Sequence, residues 1–298
     1  SDNFNDLSIT CFECQYIAPP DEGRKKGCLS ASDSVIVKGK GKIPMQDLQI
    51  GDFAMADADQ QLYEPIYSFG HYDTTSEAEF FQIQTNSQSD EMGPLEMTKE
   101  HLLYKADPST GSIRPVRADQ IQTDDLLSNG ISTSKVTMIS KVSKAGLFAP
   151  LTPSGKLIVN GIVTSNYISL SDSTDFQIED HPLWGRWFSE VRLIHFWLSP
   201  YRMYCMSGVP PYQYCSIDPS SDMPRWVRLG FHLAKQYKKQ NFLVQIILGI
   251  PGLVVFGVFN ATEFIVGPSK APYFLVALLG AFFLCRYRRQ SGSNTSIA

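Results

Sequence analysis

The feature that most constrains the fold is the stretch from Cys28 to about Tyr167, in which strand-sized apolar runs alternate with turns. The clearest of these runs are Val35–Val37, Phe53–Ala56, Phe80–Gln84 and Leu157–Val159. No long helical periodicity interrupts them, and short runs bounded by turn residues are typical of β-strands. The pattern therefore predicts an all-β domain of ordinary size.

A weak internal repeat lies inside this stretch. The segment from Pro44 to Phe53 resembles the segment from Pro115 to Leu126, which is longer by two residues. Each copy is a polar turn that leads into an apolar strand. Two such copies indicate a duplicated β domain with pseudo-two-fold symmetry, and chance similarity is the alternative at this length.

The character of the chain changes after about residue 170, and we expect a helical region over 169–298. Two apolar segments, 242–259 and 272–285, lie in it. The first is of borderline length for a bilayer-spanning helix and the second is short. We expect them to lie at a membrane interface or to form a re-entrant hairpin. A helical hairpin buried in a soluble domain is the alternative.

The charge is divided between the two regions. From Arg225 to the end there are nine basic residues and one acidic residue, whereas the first 224 residues carry 17 basic and 29 acidic residues. Because the basic region is also the apolar one, we expect membrane lipid as its partner. The net charge of -4 argues against a nucleic-acid partner, since a surface that binds phosphates is usually basic.

Residues 1–27 are polar and end in a charged run rich in proline and glycine. We expect them to be the tail of an upstream domain with a linker, in a chain cut from a longer precursor. Six cysteines are too few for a disulfide scaffold of this size. Cys11 and Cys14 form a single Cys-x-x-Cys pair without a second pair, so no metal site is expected.

Cys28 follows Gly27 directly at the point where the linker gives way to the predicted β domain (28–168). A cysteine thiolate is a strong nucleophile and can attack the carbonyl of its own preceding peptide bond, which gives a thioester by an N-to-S acyl shift. Gly27 has no side chain, so its carbonyl is easily approached. A small buried apolar residue is the alternative reading of Cys28.

Three further residues could assist such a reaction. Thr98 and His101 lie three positions apart in a predicted turn after the strand-like Leu95–Met97. A histidine there could protonate the leaving amide nitrogen, and a threonine hydroxyl could polarise the peptide. Asp73 lies at a predicted strand end and could accept a proton from an incoming hydroxyl, although aspartate is also a common turn former.

These pieces resemble, in the same order, the autoprocessing domain of hedgehog-type proteins, a member of the Hint superfamily that also includes inteins. The matching residues are Gly27-Cys28-Leu29-Ser30, Asp47-Leu48, Gly51-Asp52, Thr98-x-x-His101-Leu102-Leu103, Ala149-Pro150-Leu151-Thr152 and Ser165-Asn166-Tyr167. A weaker resemblance to the hedgehog sterol-recognition region continues through His195, Pro200 and Arg202.

The resemblance implies an all-β Hint fold followed by an α-helical, membrane-associated C-terminal region. It implies that Cys28, assisted by Thr98 and His101, forms an internal thioester at Gly27. A sterol hydroxyl activated by Asp73 would then release the upstream domain as a sterol ester. The partners would be the chain's own upstream domain, a sterol and membrane lipid, with no cofactor. The location implied is the secretory pathway, at the membrane or lumen of the endoplasmic reticulum, or outside the cell.

The sequence departs from the hedgehog pattern at Asn166, where those proteins usually have cysteine. Ser165 and Tyr167, its neighbours, are not those that protein splicing needs, so splicing is not expected. The apolar segments after residue 241 allow a lipid alcohol other than a sterol. Two alternatives stay open, which are self-cleavage by water or a thiol without lipid, and a degenerate Hint fold that acts as a membrane anchor.

Overall fold

The computed structural model describes residues 28–87, 92–169, 189–208, 215, 224–238 and 242–281. Within these ranges the strands lie between Leu29 and Ile168, and the α-helices begin at Glu190. The predicted fold class, a β domain followed by a helical region, is therefore confirmed.

The strands are β1 (Leu29–Ser30), β2 (Ser34–Val37), β3 (Gly41–Pro44), β4 (Phe53–Asp57), β5 (Leu62–Pro65), β6 (Ser68–Thr85), β7 (Leu95–Met97), β8 (His101–Ala106), β9 (Ile113–Arg117), β10 (Leu126–Ser128), β11 (Thr133–Leu151), β12 (Lys156–Val159) and β13 (Ile162–Ile168). Two 3-10 helices are η1 (Met45–Asp47) and η2 (Ala118–Gln120). The α-helices are α1 (Glu190–Trp197), α2 (Ser199–Met206), α3 (Arg225–Lys238), α4 (Phe242–Val266) and α5 (Ala271–Ala281).

The strands pair in the order β1-β7-β6-β11-β10-β8-β13-β12-β2-β4-β5, with β3 on β2 and β9 on β8. The longest ladder joins the 18-residue β6 to the 19-residue β11 in antiparallel register. Register shifts interrupt this ladder on both sides of the Asp73–Leu147 and Tyr72–Phe148 pairs. Such bulges redirect side chains and are frequent beside active sites.

The predicted duplication is visible in the turns that follow two hairpins. η1 follows the β2–β3 hairpin, and η2 follows the β8–β9 hairpin. Leu48 and Ile121 each close their 3-10 turn by donating the backbone N–H to the carbonyl three residues earlier. Asp52 and Asp125 then each accept a hydrogen bond from the backbone N–H three residues earlier, at 3.1 and 2.8 Å.

The structure also corrects the alignment of the two copies. Gly51 and Asp124 occupy equivalent positions and both have positive φ, 95° and 74°. This correspondence matches Pro44 with Arg117 and not with Pro115. Through this element the two copies therefore have equal length, and the two extra residues lie earlier, in the β8–β9 hairpin.

The core of the β domain draws apolar side chains from both halves of the duplicated sheet. Its fully buried members include Leu29, Met45, Leu48, Ile66, Phe69, Ile83, Leu95, Leu103, Phe148 and Ile162. Because these residues come from strands far apart in the sequence, their burial fixes the relative position of the two halves.

A buried carboxyl group closes one end of this core. Asp33 accepts hydrogen bonds from the backbone N–H of Ser30 and of Glu96, both at 2.9 Å, and from Asn160 Nδ2 at 2.8 Å. Burial raises the pKa of Asp33, and the two backbone donors offset only part of that rise. The contacts hold the turn after β1 beside β7, which ends one residue before Thr98.

The helical region packs on the β domain through a second cluster, formed by Tyr67, Leu151, Tyr167, Leu198 and Tyr201. Ser68 Oγ lies 2.8 Å from the hydroxyl of Tyr201 and donates a hydrogen bond to the carbonyl of Cys215 at 2.7 Å. Cys215 forms a disulfide with Cys205 at the end of α2. The sequence analysis did not predict this pair.

The apolar segments form helices, and large apolar side chains between Val254 and Leu279 are exposed. Among the described residues no single helix is both long and apolar enough to cross a bilayer. Val254–Val266 and Ala271–Ala281 reach the required length only together, and they are bent by 114°. The end of the second predicted segment, 282–285, lies outside the described residues.

Candidate active site

Cys28 lies directly before β1 and is completely buried. Its backbone N–H donates a hydrogen bond to Thr98 Oγ1 at 2.9 Å. The backbone N–H of Thr98 in turn donates to the carbonyl of Cys28 at 3.0 Å. The predicted nucleophile and the predicted threonine are therefore joined by two hydrogen bonds, one of which engages the nitrogen of the Gly27–Cys28 peptide bond.

Thr98 and His101 form a tight turn between β7 and β8, as their spacing predicts. The backbone N–H of His101 donates to the carbonyl of Thr98 at 3.1 Å. The imidazole is buried, and its Nε2 lies 2.8 Å from the carbonyl oxygen of Ser165 in β13. Because a carbonyl can only accept, Nε2 carries the proton, which makes Nδ1 the basic nitrogen of this ring.

The last two segments that resemble the hedgehog-type domain, 149–152 and 165–167, are called the closing block here, and they support this arrangement from the opposite side. Asn166 is buried, and its Nδ2 donates to Thr152 Oγ1 at 2.9 Å. Thr152 Oγ1 donates to the carbonyl of Lys156 at 2.7 Å. The amide of Asn166 therefore ties β13 to the end of β11, and its neighbour Ser165 presents the carbonyl that orients His101.

His71 is a neighbour of the nucleophile to which the sequence analysis assigned no role. Its Nδ1 lies 3.4 Å from Cys28 Sγ and 3.2 Å from the carbonyl oxygen of Leu147. The ring is 3% exposed. His71 and Asp73 are two positions apart on β6, and strand alternation puts such residues on one face. That spacing is the signal that could have associated His71 with the site.

Asp73 pairs with Leu147 of β11, and Leu147 pairs on its other side with Ser30 of β1. Two strand spacings therefore separate the backbones of Asp73 and Ser30, or about 10 Å. The described hydrogen bonds of Asp73 Oδ1 come from the backbone N–H of Thr75 at 2.8 Å, from Thr75 Oγ1 at 3.0 Å and from the backbone N–H of Ser76 at 3.0 Å.

The electrostatics of Asp73 favour the charged carboxylate. Partial burial raises the pKa of this carboxyl, but the hydrogen bonds from Ser76 and Thr75 outweigh it and leave the pKa well below its usual value. Asp73 is therefore ionised at neutral pH. Hydrogen bonds join Thr98 both to Cys28 and to His101. Asp73 lies on the bulged part of β6, two strand spacings from β1.

The residues that resemble the sterol-recognition region form a second buried cluster. His195 Nδ1 lies 2.8 Å from the hydroxyl of Tyr167, and Arg202 is completely buried. Two nitrogens of Arg202 pair with the carboxylate of Glu263, with Nη2 to Oε2 at 2.6 Å. These contacts join α1 and α2 to β13 and to α4. The described contacts of His195 and Arg202 thus hold the helices on the β domain.

This cluster also shifts the titration of its histidine. Burial, the larger cause, and the positive charge of Arg202 together lower the pKa of His195 to about 3. His195 is therefore neutral at physiological pH. A neutral imidazole beside a buried guanidinium avoids a like-charge contact, and Glu263 balances the charge of Arg202.

Some predicted features fall outside the described residues, namely Gly27, the linker 1–27 and the pair Cys11 and Cys14. Within the described part of the chain, no group of three or more His, Cys, Asp or Glu side chains is arranged to hold a metal ion.

Comparisons with known proteins assign the family. The model of the Hint module matches residues 19–213. Warthog protein 6 of Caenorhabditis elegans is 34% identical over 135 residues, which cover 43% of this chain and 22% of that protein. Tiggy-winkle hedgehog protein of Danio rerio is 29% identical over 190 residues, which cover 59% of this chain and 42% of that protein. The matched regions thus span less than half the length of these two relatives.

Among solved structures, the gp41-1 intein is similar at 15% identity with a TM-score of 0.38, over 47% of this chain and 99% of the intein. The family predicted from Cys28, Thr98-x-x-His101 and the closing block is confirmed by the match to the family model. The chain belongs to the Hint module family and is of the hedgehog type.

Proposed function

We propose that this chain cleaves its own backbone between Gly27 and Cys28 through a thioester, and that a lipid alcohol, a sterol in the first place, resolves the thioester. The observation that carries the proposal is the hydrogen bond from the backbone N–H of Cys28 to Thr98 Oγ1. This nitrogen is the one that must leave when the peptide bond breaks. Membership of the Hint family supports the same reaction.

In the first step Cys28 Sγ attacks the carbonyl carbon of Gly27, and the bond from that carbon to the nitrogen of Cys28 breaks. The nitrogen takes up a proton as it leaves. In this proposal the donor is His101 as the imidazolium: the carbonyl of Ser165 holds its Nε2–H, and the proton on Nδ1 passes to the leaving nitrogen, which returns the ring to its neutral form. The nucleophile is attached to its own substrate, so proximity supplies a large part of the acceleration.

In the second step the hydroxyl of the lipid alcohol attacks the thioester carbonyl, its proton passes to the carboxylate of Asp73, and the thiolate of Cys28 leaves. The upstream domain departs as an ester at Gly27. Asp73 is suited to this role by its negative charge at neutral pH, which the hydrogen bonds from Thr75 and Ser76 maintain. No cofactor takes part in either step.

The helical region supports a supply of the alcohol from a membrane. Large apolar side chains of α4 and α5 are exposed, among them Val254, Val258, Phe264, Ile265, Tyr273, Val276 and Leu279. An apolar surface of this kind marks a site of contact with a membrane or a partner. Because His195 and Arg202 are occupied in holding the helices, the sterol would bind to other side chains of this region.

The disulfide between Cys205 and Cys215 supports a location in the secretory pathway, in the endoplasmic reticulum or outside the cell. Disulfides persist in oxidising compartments and are rare in the cytosol. Such a location would also give the module access to a sterol-containing membrane.

One observation favours the alternative in which water or a thiol resolves the thioester. Three hydrogen bonds to one oxygen of Asp73 stabilise its charged form. The same stabilisation makes the carboxylate a weaker base. If Asp73 only shapes the bulge of β6, the thioester would be resolved without lipid.

The mass of the released N-terminal fragment decides between these outcomes. The full chain is incubated with phosphatidylcholine vesicles that contain or lack cholesterol, and separately with dithiothreitol. We expect an added sterol mass only with cholesterol, and Asp73→Asn should lose this product by about a hundredfold while it keeps cleavage by dithiothreitol. A fragment with a plain carboxylate under every condition would contradict lipid transfer.

Asp107→Asn is the matched control for this experiment. Like Asp73, Asp107 accepts hydrogen bonds from the residues two and three positions later, here Ser109 and Thr110, but it lies in the loop of the β8–β9 hairpin. If Asp107→Asn impairs sterol transfer as strongly as Asp73→Asn does, the effect reflects a damaged turn and not the proposed base.

A further inference from the structure

The steps proposed above leave open which group removes the proton from the thiol of Cys28. His101 lies within the cluster, but its role there is to protonate the leaving nitrogen. His71 contacts the sulfur directly, with Nδ1 at 3.4 Å from Sγ, and both groups are buried. The question whether His71 is only a packing residue or takes part in the chemistry depends on its second contact.

That second contact is the carbonyl oxygen of Leu147, 3.2 Å from the same Nδ1. A carbonyl oxygen only accepts hydrogen bonds, so it favours the states in which Nδ1 carries a proton. If the thiol keeps its proton and Nδ1 is bare, a lone pair of the ring faces the carbonyl. If the proton moves from Sγ to Nδ1, the N–H is shared between the carbonyl of Leu147 and the thiolate, and both contacts become attractive.

We infer that His71 is a further catalytic residue, which accepts the thiol proton of Cys28 and holds the nucleophile as a thiolate paired with the imidazolium. This inference rests on the proposed function for the identity of the nucleophile. The S–H bond breaks, the proton moves to Nδ1, and the electron pair of the sulfur forms the bond to the Gly27 carbonyl carbon. The carbonyl oxygen takes the displaced pair, and no oxidant or reductant is needed.

The charged groups on the surrounding strands do not replace His71 in this role. Asp73 lies on the same strand and is engaged by Thr75 and Ser76. Glu96 of β7 and Lys144 of β11 pair with each other at 2.6 Å. Asp33, in the turn after β1, accepts hydrogen bonds from the backbone N–H of Ser30 and of Glu96. His101, the first residue of β8, contacts Ser165.

The inference is tested with His71→Asn in the full chain. Asparagine keeps an amide N–H near the position of Nδ1 but cannot accept a proton at neutral pH. We expect cleavage by dithiothreitol to fall about a hundredfold at about pH 7 and to recover towards the wild-type rate near pH 9, where a cysteine thiol ionises unaided. His71→Gln is the second variant, and circular dichroism checks that both are folded.

A second measurement follows the thiolate of Cys28 by its ultraviolet absorbance, with the signal of Cys28→Ala subtracted in each background. The midpoint of thiolate formation should rise in His71→Asn. The inference is overturned if the midpoint of thiolate formation is unchanged in His71→Asn and the rate of cleavage by dithiothreitol is either equal to that of the wild type or reduced by the same factor at every pH. If the wild-type chain fails to cleave, the proposed function fails, and the thiolate midpoint still decides the role of His71.

Discussion

Cys28 is held by atoms of three different elements. Its backbone is bound by Thr98 at the end of β7, and its sulfur lies beside His71 of β6, whose ring contacts the carbonyl of Leu147 in β11. A buried cysteine with these contacts differs from one that only fills space in a core, because polar atoms approach both the nitrogen and the sulfur. The backbone contact gives the most direct prediction for a single residue.

Thr98→Val should slow thiol-induced cleavage by about tenfold to a hundredfold, because it removes the oxygen that accepts the N–H of Cys28 and leaves that donor buried. The free energy of unfolding should fall by about 1–3 kcal/mol for the same reason. Thr98→Ser keeps the hydroxyl and is the control. A cleavage rate for Thr98→Val equal to that of Thr98→Ser would show that the hydroxyl has no part in the reaction.

At this scale the sequence predicts part of the site. The spacing of Thr98 and His101 and the position of Cys28 point to one cluster once the family resemblance is recognised, and the structure brings these three residues together. The spacing of His71 and Asp73 on β6 could have associated His71 with the site. Its contact with Cys28 also depends on how β1 pairs with β11, which the local sequence does not reveal. The partner of His101, the carbonyl of Ser165, is a backbone atom 64 residues away and leaves no residue signal.

At the scale of elements, the long β6–β11 ladder determines the geometry around the nucleophile. The bulge between Ala145 and Leu147 sets the register at which Leu147 lies between Ser30 and Asp73. Gly146 sits in this bulge with a φ of 97°, a conformation that favours glycine. A Cβ at Gly146 would lie 2.7 Å from the Cβ of Ala31, the residue directly after β1.

Gly146→Ala should therefore destabilise the fold by about 2–3 kcal/mol, the sum of the left-handed strain and the displaced contact. Gly41→Ala is the matched control, since Gly41 has a φ of 74° and nothing within 4 Å of the added Cβ. Denaturant unfolding compares the two, and Gly41→Ala should lose only about 1 kcal/mol. Equal losses would mean that the contact with Ala31 is not tight.

The elements themselves were predicted unevenly. The duplicated turn was found from its sequence, but its alignment was wrong by two residues. The sequence alignment paired Pro44 with Pro115 because both are proline. In the structure the residue equivalent to Pro44 is Arg117, which has the same backbone conformation before its 3-10 helix. The length of β6 and β11 was not predicted, since polar residues on their exposed parts hide the strand pattern.

At the scale of the whole molecule, one polar cluster attaches the helical region to the β domain. The cluster is a series of three contacts. Tyr167 of β13 contacts His195 of α1, His195 contacts Arg202 of α2, and Arg202 contacts Glu263 of α4. Glu263 is 61 residues from Arg202, so the spacing of the motif around His195 could not reveal its partner. A resemblance to a recognition motif therefore located the residues, and only the structure showed what they contact.

The titration of His195 gives this attachment a pH dependence. Its pKa is lowered to about 3 in the folded chain, below the unfolded value of about 6.5. Because the unfolded chain takes up a proton at this histidine more readily than the folded chain does, acid favours unfolding. The free energy of unfolding is therefore undiminished above about pH 6.5 and falls as the pH decreases towards the folded pKa. Between about pH 7 and about pH 5 the wild type should lose about 2 kcal/mol more unfolding free energy than His195→Gln.

Tyr167→Phe is the control for this measurement, because it removes the hydroxyl contact and keeps the imidazole. Its pH dependence should follow that of the wild type, at a lower stability throughout. Urea unfolding at several pH values provides the data. Parallel curves for the wild type and His195→Gln would contradict a buried neutral histidine at this position.

The central claim is that the sulfur of Cys28 breaks the peptide bond immediately before it. The most direct measurement is the rate at which the full chain splits after Gly27 in dithiothreitol, compared between the wild type, Cys28→Ala and Cys215→Ala. We expect cleavage in the wild type and in Cys215→Ala, which alters a cysteine of the helical region, and no cleavage in Cys28→Ala. Cleavage of Cys28→Ala at the wild-type rate would contradict the account.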